Sequence, residues 1–345
     1  MQNRTQLLSI TTILLALCAC SSGGGGGGSS LNTTPTATPP PPLLEEYVLS
    51  SDNFVPSNIA FDPVDRAFYA ASRNGNEDGS IIRIDADGTE SIFHEADGRT
   101  PDVEGAVVEG GIGGIAVDAE ARWLWACANN VDGLDHRVWV FDLASSEMIM
   151  EFLLGAIYPG GHCNDLVLDE RGVAYVSDSL NPVAYRLDPD TELGEVYVLD
   201  PLLDDVSGRG FGSNGIEIID NGNTLVIGVM FPPQFVTVSL PEPDVIDVLE
   251  LDGDEIPFPH LGIRSFEEDL YVLSPSAVSR LRLNDDHSAA EVTTREHDEQ
   301  TSSAEEAEGA LYLVHSEVVN FRAGQELRLP FRIFGFDTDV FDEQE

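Results

Sequence analysis

The chain contains no lysine. Its 345 residues carry 17 basic side chains, every one arginine, against 61 Asp and Glu, for a net charge of −44. A surface of that sign repels nucleic acid and anionic membranes, so both are excluded as partners. It suits a saline medium, where screening relaxes the self-repulsion. No amphipathic helix of useful length follows residue 20. There is no G-x-S-x-G, no H-E-x-x-H and no matching EF-hand loop. "GRGFGSNG" contains G-x-G-x-x-G from Gly210 to Gly215, but it leads into a strand pattern rather than a helix, and the dinucleotide reading fails. The acidic turns "GNEDG", "DADG" and "DGDE" read as hairpin loops.

What is present begins with a secretory start. One positive charge, Arg4, precedes an apolar stretch from Leu7 to Cys18 that is too short to span a membrane. The stretch ends in Leu17-Cys18-Ala19-Cys20, which resembles a bacterial lipobox. That resemblance implies removal of residues 1–19 and lipidation of Cys20; Cys18 fits less well after the bulky Leu17. In the lipoprotein pattern, Ser21 after the cysteine points to the outer membrane, with the lipid as the only membrane contact. The competing reading is a plain signal peptide. Residues 20–44 then run through six glycines and a Thr/Pro tract. Such a segment is a flexible and then extended tether, and no core can be built from it.

Residues 45–345 contain a repeat. "NIAFDPVDRAFYAAS" begins at Asn58 and aligns without a gap to "GIAVDAEARWLWACA" at Gly114. Further copies begin at Asp165, Gly215 and Gly262, and a weaker one at Ser303, with start-to-start distances of 56, 51, 50, 47 and 41 residues. Each copy reads as a short apolar strand, a polar turn, a second strand and a third, and most add a fourth such as "MIMEFLL" or "VIDVLEL". Six four-stranded units make a six-bladed β-propeller, an all-β fold. The sixth copy lacks its fourth strand, and "EEYVLSS", Glu45 to Ser51, stands ready at the other terminus to close the ring and remove an open edge. A β-sandwich or two smaller β domains would not need a copy every fifty residues or so.

The openings "CNDLVLDERGVAYVSDS" and "SNGIEIIDNGNTLVIG" resemble those of the SMP-30/gluconolactonase/LRE-like propellers. WD40 and kelch signatures are absent, while NHL and strictosidine-synthase-like propellers share the blade grammar. The resemblance implies a divalent metal in the mouth of the ring, often calcium, and hydrolysis of sugar lactones and related esters. Of the four ligand positions it implies, Asn164 and Asn214 match; the other two fall on Ser57 and Leu261 and lose both carboxylates. Calcium affinity depends largely on carboxylate count, so the site is only partly retained. Asp165 or Glu109 could serve as base, and His162 and His260 could instead favour zinc. The competing role for the two asparagines is to cap exposed backbone at the channel mouth.

Cys127 closes the second strand of blade two and Cys163 opens the first strand of blade three. If inner strands begin at the mouth, second strands return to it, and the two cysteines meet in adjacent blades. A Cys127–Cys163 disulfide is expected in an oxidising compartment. The sequence thus leads to a lipid-anchored, extracytoplasmic, monomeric propeller that binds a small polar ligand or a protein partner at its mouth. Asn164, Asn214, His162, Asp165 and His260 would line that mouth. The alternatives are a metal-dependent lactone or ester hydrolase with a rebuilt site, and a non-catalytic scaffold.

Overall fold

The second strand of each copy is a near-continuous apolar run. "WLWACAN", "AYVSD", "TLVIGV" and "ALYLVH" are buried along almost their whole length. Such strands must be covered on both faces, whereas "LGEVYVL" and "MIMEFL" alternate between exposed and covered residues and suit a rim. A radial stack of sheets satisfies both demands. The computed structural model, which describes residues 40–74, 79–96, 111–129 and 136–342, has that arrangement. Pro42–Glu345 form one unit, built of six small sheets. The inner strands are Val55–Asp62, Gly111–Asp118, Cys163–Leu168, Ser213–Ile219, Gly262–Phe266 and Thr301–Ala307. They open blades one to six in that order. The six-bladed propeller expected from the repeat is the fold observed.

The ring closes through the N-terminal segment. Glu46–Val48 pairs antiparallel with Arg332–Phe336, and Tyr47 faces Ile333. Tyr47 is buried in a cluster with Phe68 at 5.3 Å and Tyr312 at 6.3 Å between ring centroids, which joins blade six to blade one. The Cys127–Cys163 disulfide is also present, and it staples blade two to blade three inside a core with Trp125 and Tyr185.

The turns follow from their acids. Asp118 Oδ1 accepts from the backbone of Glu120 and Ala121, and Asp169 Oδ1 from that of Arg171 and Val173. These Asx contacts hold the turn between the first two strands of a blade. In blades one and two the turn arginine reaches the preceding blade, Arg66 meeting Glu308 and Arg122 meeting Asp62 and Asp65, while Arg171 of blade three pairs with Asp169 of its own turn.

One expected strand is divided. "VIDVLEL" reads as a single outer strand, but only Ile246–Val248 pairs within blade four. Glu250–Gly253 crosses over and pairs parallel with Ala289–Glu296 of blade five, giving that sheet five strands. Leu249 is the pivot: its N–H still bonds Phe235 O of blade four, while its side chain is buried in the core of blade five. An unbroken apolar pattern carries no mark of such a crossing.

Candidate functional site

The repeat phase arranges the channel in layers. The residues that start the copies, Asn58, Gly114, Asp165, Gly215, Gly262 and Ser303, occupy equivalent positions on the six inner strands. The strand period of two places Ala60, Ala116, Val167, Glu217, Arg264 and Glu305 one layer below them. In a regular strand the residues just before the copy starts would face away from the channel. Five of the six inner strands, however, carry a register shift there, for instance between Cys163 and Leu166 and between Ser213 and Ile216. Such irregularities re-aim side chains. Successive residues such as Asn164 and Asp165 therefore both line the channel.

The result is a cavity of about 60 Å³ at the mouth. Its polar walls include Ser57, Asn58, Asn164, Asp165, Asn214 and Ser302. Its lip is built by Phe211, Met230, Leu261, Val318 and Arg322. Gly114 makes room for it, because a Cβ there would fall 2.1 Å from Asp165 Oδ1 and 2.6 Å from Asp165 Cα. Val318 and Arg322 come from a short helix, Val318–Arg322, in the long connection between the second and third strands of blade six. Its anchor is Glu317, fully buried and at φ 53°. The Glu317 carboxylate accepts from His315 Nε2 at 2.9 Å, Asn320 Nδ2 at 2.5 Å and Arg328 Nε at 2.6 Å. These three donors outweigh burial and hold its carboxyl below the usual range.

The orientation of the two mouth amides follows from their partners. Ser179 Oγ donates to Ser213 O at 2.8 Å, so its lone pair can only accept from Asn164, and the group at 2.7 Å is Nδ2. Asn214 Nδ2 donates to the carbonyl of His260 at 3.1 Å and to Met230 Sδ at 3.1 Å. In both residues Nδ2 turns to the protein and leaves Oδ1 as the atom offered to the cavity. Asn58 Nδ2 donates to Asp165 Oδ1 at 3.4 Å, and its own Oδ1 is buried without a partner. Ser57 Oγ and Ser302 Oγ give their hydrogens to backbone carbonyls. Asn214 caps the His260 carbonyl, and both Asn164 and Asn214 turn an acceptor to the cavity.

Asp165 faces the cavity, and burial pushes its carboxyl up to about 6 despite the opposing field of Arg264. In the layer below, Arg264 bonds Glu305 Oε2 at 2.7 Å, Glu217 Oε2 at 3.3 Å and Ala304 O at 3.1 Å. Burial raises Glu305 to about 7 and raises Glu217 as well. Burial opposes the Arg264 charge, but Glu305, Glu217 and Asp165 outweigh it and keep the guanidinium charged.

His162 and His260 are not among the cavity walls. The backbone N–H of His162 donates to Asp178 Oδ1 at 2.9 Å, and its ring packs edge-on to Phe211. His260 Nε2 bonds Val229 O at 2.9 Å, and burial lowers its pKa to about 4, so the ring is neutral. Its contribution to the mouth is its carbonyl, which orients Asn214. Cys20 and Glu109 lie outside the described residues. Sequence reasoning missed Asn58, Ser302 and, Leu261 apart, the lip.

The donor set is short for calcium. Two amide oxygens and one carboxylate are offered, Leu261 supplies only carbon, and calcium takes six to eight oxygens. Among the described residues no group of three or more His, Cys, Asp or Glu is placed to hold a metal ion.

Fold and site together define a six-bladed β-propeller with an acceptor-lined, partly closed mouth. No family profile and no curated protein matches the chain. Solved structures do. The allergen Mala s 1 of Malassezia sympodialis superposes with a TM-score of 0.69 at 14% identity, over 88% of this chain and 98% of its own. The PQQ-bound aldose sugar dehydrogenase of Streptomyces coelicolor gives 0.56 at 15% identity, over 86% and 99%. A gluconolactonase of Xanthomonas campestris gives 0.55 at 16% identity, over 77% and 84%. The likeness to gluconolactonase propellers read from the strand openings holds at the level of fold. An allergen, a dehydrogenase and a gluconolactonase share that fold, so the chemistry has to be argued from the site.

Proposed function

We propose that this protein is a lipid-anchored, extracytoplasmic propeller that binds a small polar ligand at its mouth. The observation that carries this reading is the enforced orientation of Asn164 and Asn214, whose Oδ1 atoms join the Asp165 carboxylate in one cavity. A pure scaffold has no need to aim three acceptors into a shared space. The test is a thermal-denaturation screen against small amines, polyols, carboxylates and divalent cations, run on wild type and on Asn164→Ala/Asn214→Ala. A saturable stabilisation lost in the double variant supports the reading. Equal responses in both proteins refute it.

A second reading is hydrolysis of a lactone or ester. It is favoured by the Asp165 carboxyl, whose pKa of about 6 lies closer to that of a working general base than an exposed aspartate's. Turnover of an aldonolactone with added calcium, manganese or zinc, abolished in Asp165→Asn, would establish it. Elemental analysis of the purified protein would name any resident ion. Absence of turnover with every metal would leave the binding reading alone.

A further inference from the structure

The polar walls of the mouth offer acceptors. Both N–H groups of Asn214 are committed, to His260 O and Met230 Sδ, and the Ser57 and Ser302 hydroxyls have spent their hydrogens on carbonyls. The acceptors left to a ligand are Asn164 Oδ1, Asn214 Oδ1 and the Asp165 carboxylate, beside the second N–H of Asn164 Nδ2 and the Arg322 guanidinium on the lip. A ligand hydroxyl brings lone pairs as well as a proton, and those lone pairs would face other acceptors. A carboxylate or phosphate brings lone pairs only. The complementary species is one whose donors outnumber its acceptors.

Charge and size narrow it further. Asp165, Glu217 and Glu305 stand against Arg264 and the lip's Arg322, which leaves one net negative charge when all three carboxyls are ionised, and the oxygen count is short for a divalent cation. Beneath the cavity, Glu217 and Glu305 share the single cation Arg264, so the floor adds no net positive charge. The cavity is small, about 60 Å³, and suits an ammonium head on a short alkyl stem. Phe211, Met230, Leu261 and Val318 give the lip an apolar collar, interrupted by Arg322, whose guanidinium stands 5.8 Å from the centre of the Phe211 ring. The chain, having no lysine, carries no side-chain ammonium of its own.

We propose that the mouth is a binding site for a primary alkylammonium group, whose three N–H donors meet Asn164 Oδ1, Asn214 Oδ1 and Asp165 while its alkyl stem passes the apolar collar. Asn58 Nδ2 donates to Asp165 Oδ1 and steadies that carboxylate. This rests on the reading of the mouth as a small-ligand site and names the ligand's chemistry.

The test titrates methylammonium chloride into the full-length protein by calorimetry and by melting temperature. Tetramethylammonium chloride, sodium chloride at equal ionic strength, calcium chloride and glycerol serve as controls. The proposal expects saturable methylammonium binding at least about tenfold tighter than tetramethylammonium, which has the charge but no donors, and a loss of about tenfold or more in Asp165→Asn. Equal binding of the two ammonium ions would mean diffuse charge attraction and would overturn it. Saturable glycerol binding sensitive to Asn164→Ala/Asn214→Ala, with none for methylammonium, would overturn it while leaving the mouth as a ligand site. Calcium binding that excludes methylammonium would also overturn it. No saturable response to any probe would overturn both. Should Asp165→Asn fail to fold, Leu261→Phe, which fills the cavity from its lip, must abolish methylammonium binding in a protein that still melts cooperatively.

Discussion

Arg264 is one guanidinium held between two carboxylates inside the ring, with a third above it. Removing one partner of a buried ionic cluster leaves charge without compensation, whereas replacing the whole cluster is tolerated. Arg264→Met is therefore expected to destabilise the protein by about 3–5 kcal/mol, and Arg264→Met/Glu217→Gln/Glu305→Gln to recover most of that loss in urea unfolding. Glu305 also predicts a pH dependence. Its carboxyl is raised to about 7 in the folded protein, above the 4.5 of an exposed glutamate. Its contribution to stability is thus complete below about 4.5 and is lost as pH rises through about 7. Glu305→Gln does not ionise, so its melting temperature should gain on wild type between pH 5 and pH 8. A constant difference across that range would refute the assignment. Asn164 and Asn214 were legible as strand openings. Glu217, Arg264 and Glu305 were legible only as charges two residues inside three consecutive copies, a layer that emerges once the repeat phase is followed around the ring.

At the level of elements, the hairpins and the disulfide could be read directly. Cys127 and Cys163 are 36 residues apart, and the chain-entropy account assigns closure of such a loop about 3–4 kcal/mol. Cys127→Ala/Cys163→Ala should unfold at correspondingly lower denaturant, with fold and mouth otherwise intact. A drop of only a few tenths of a kcal/mol would mean that the apolar packing of blades two and three around Trp125 already secures that junction. Two features escaped the pattern. The helix Val318–Arg322 is too short for a 3.6-residue period to register, and it is held by the Glu317 contacts rather than by its own amphipathicity. The division of "VIDVLEL" between two blades depends on Leu249 entering a neighbour's core, which alternation along one strand does not encode.

For the whole molecule, closure of the ring decides stability. Tyr47 lies on a strand of only three residues, Glu46–Val48, yet it is buried among Phe68 and Tyr312. Tyr47→Ala should cost about 3–5 kcal/mol, the range for deleting a buried aromatic ring. A chain beginning at Asp52 should expose the Arg332–Phe336 edge and self-associate, which light scattering would detect. If the trimmed chain stays monomeric and melts with the full-length protein, the terminal strand is dispensable. Among the described residues this joint pairs a strand near the start of the folded unit with one near its end, so the two halves of blade six are held together across the length of the chain.

The sequence by itself determined the blade count, the ring, its closure and the disulfide. Period, spacing and strand alternation are properties of a one-dimensional string, and a four-stranded unit repeated six times has few ways to bury its apolar strands. Tertiary structure decided what the mouth presents. Asn214 is oriented by a carbonyl 46 residues away, and Ser302 gives its hydrogen to Ser57 O across 245 residues. Whether an amide shows its oxygen or its nitrogen to a cavity depends on which neighbour takes the other end. That neighbour is known only after distant blades have been brought side by side.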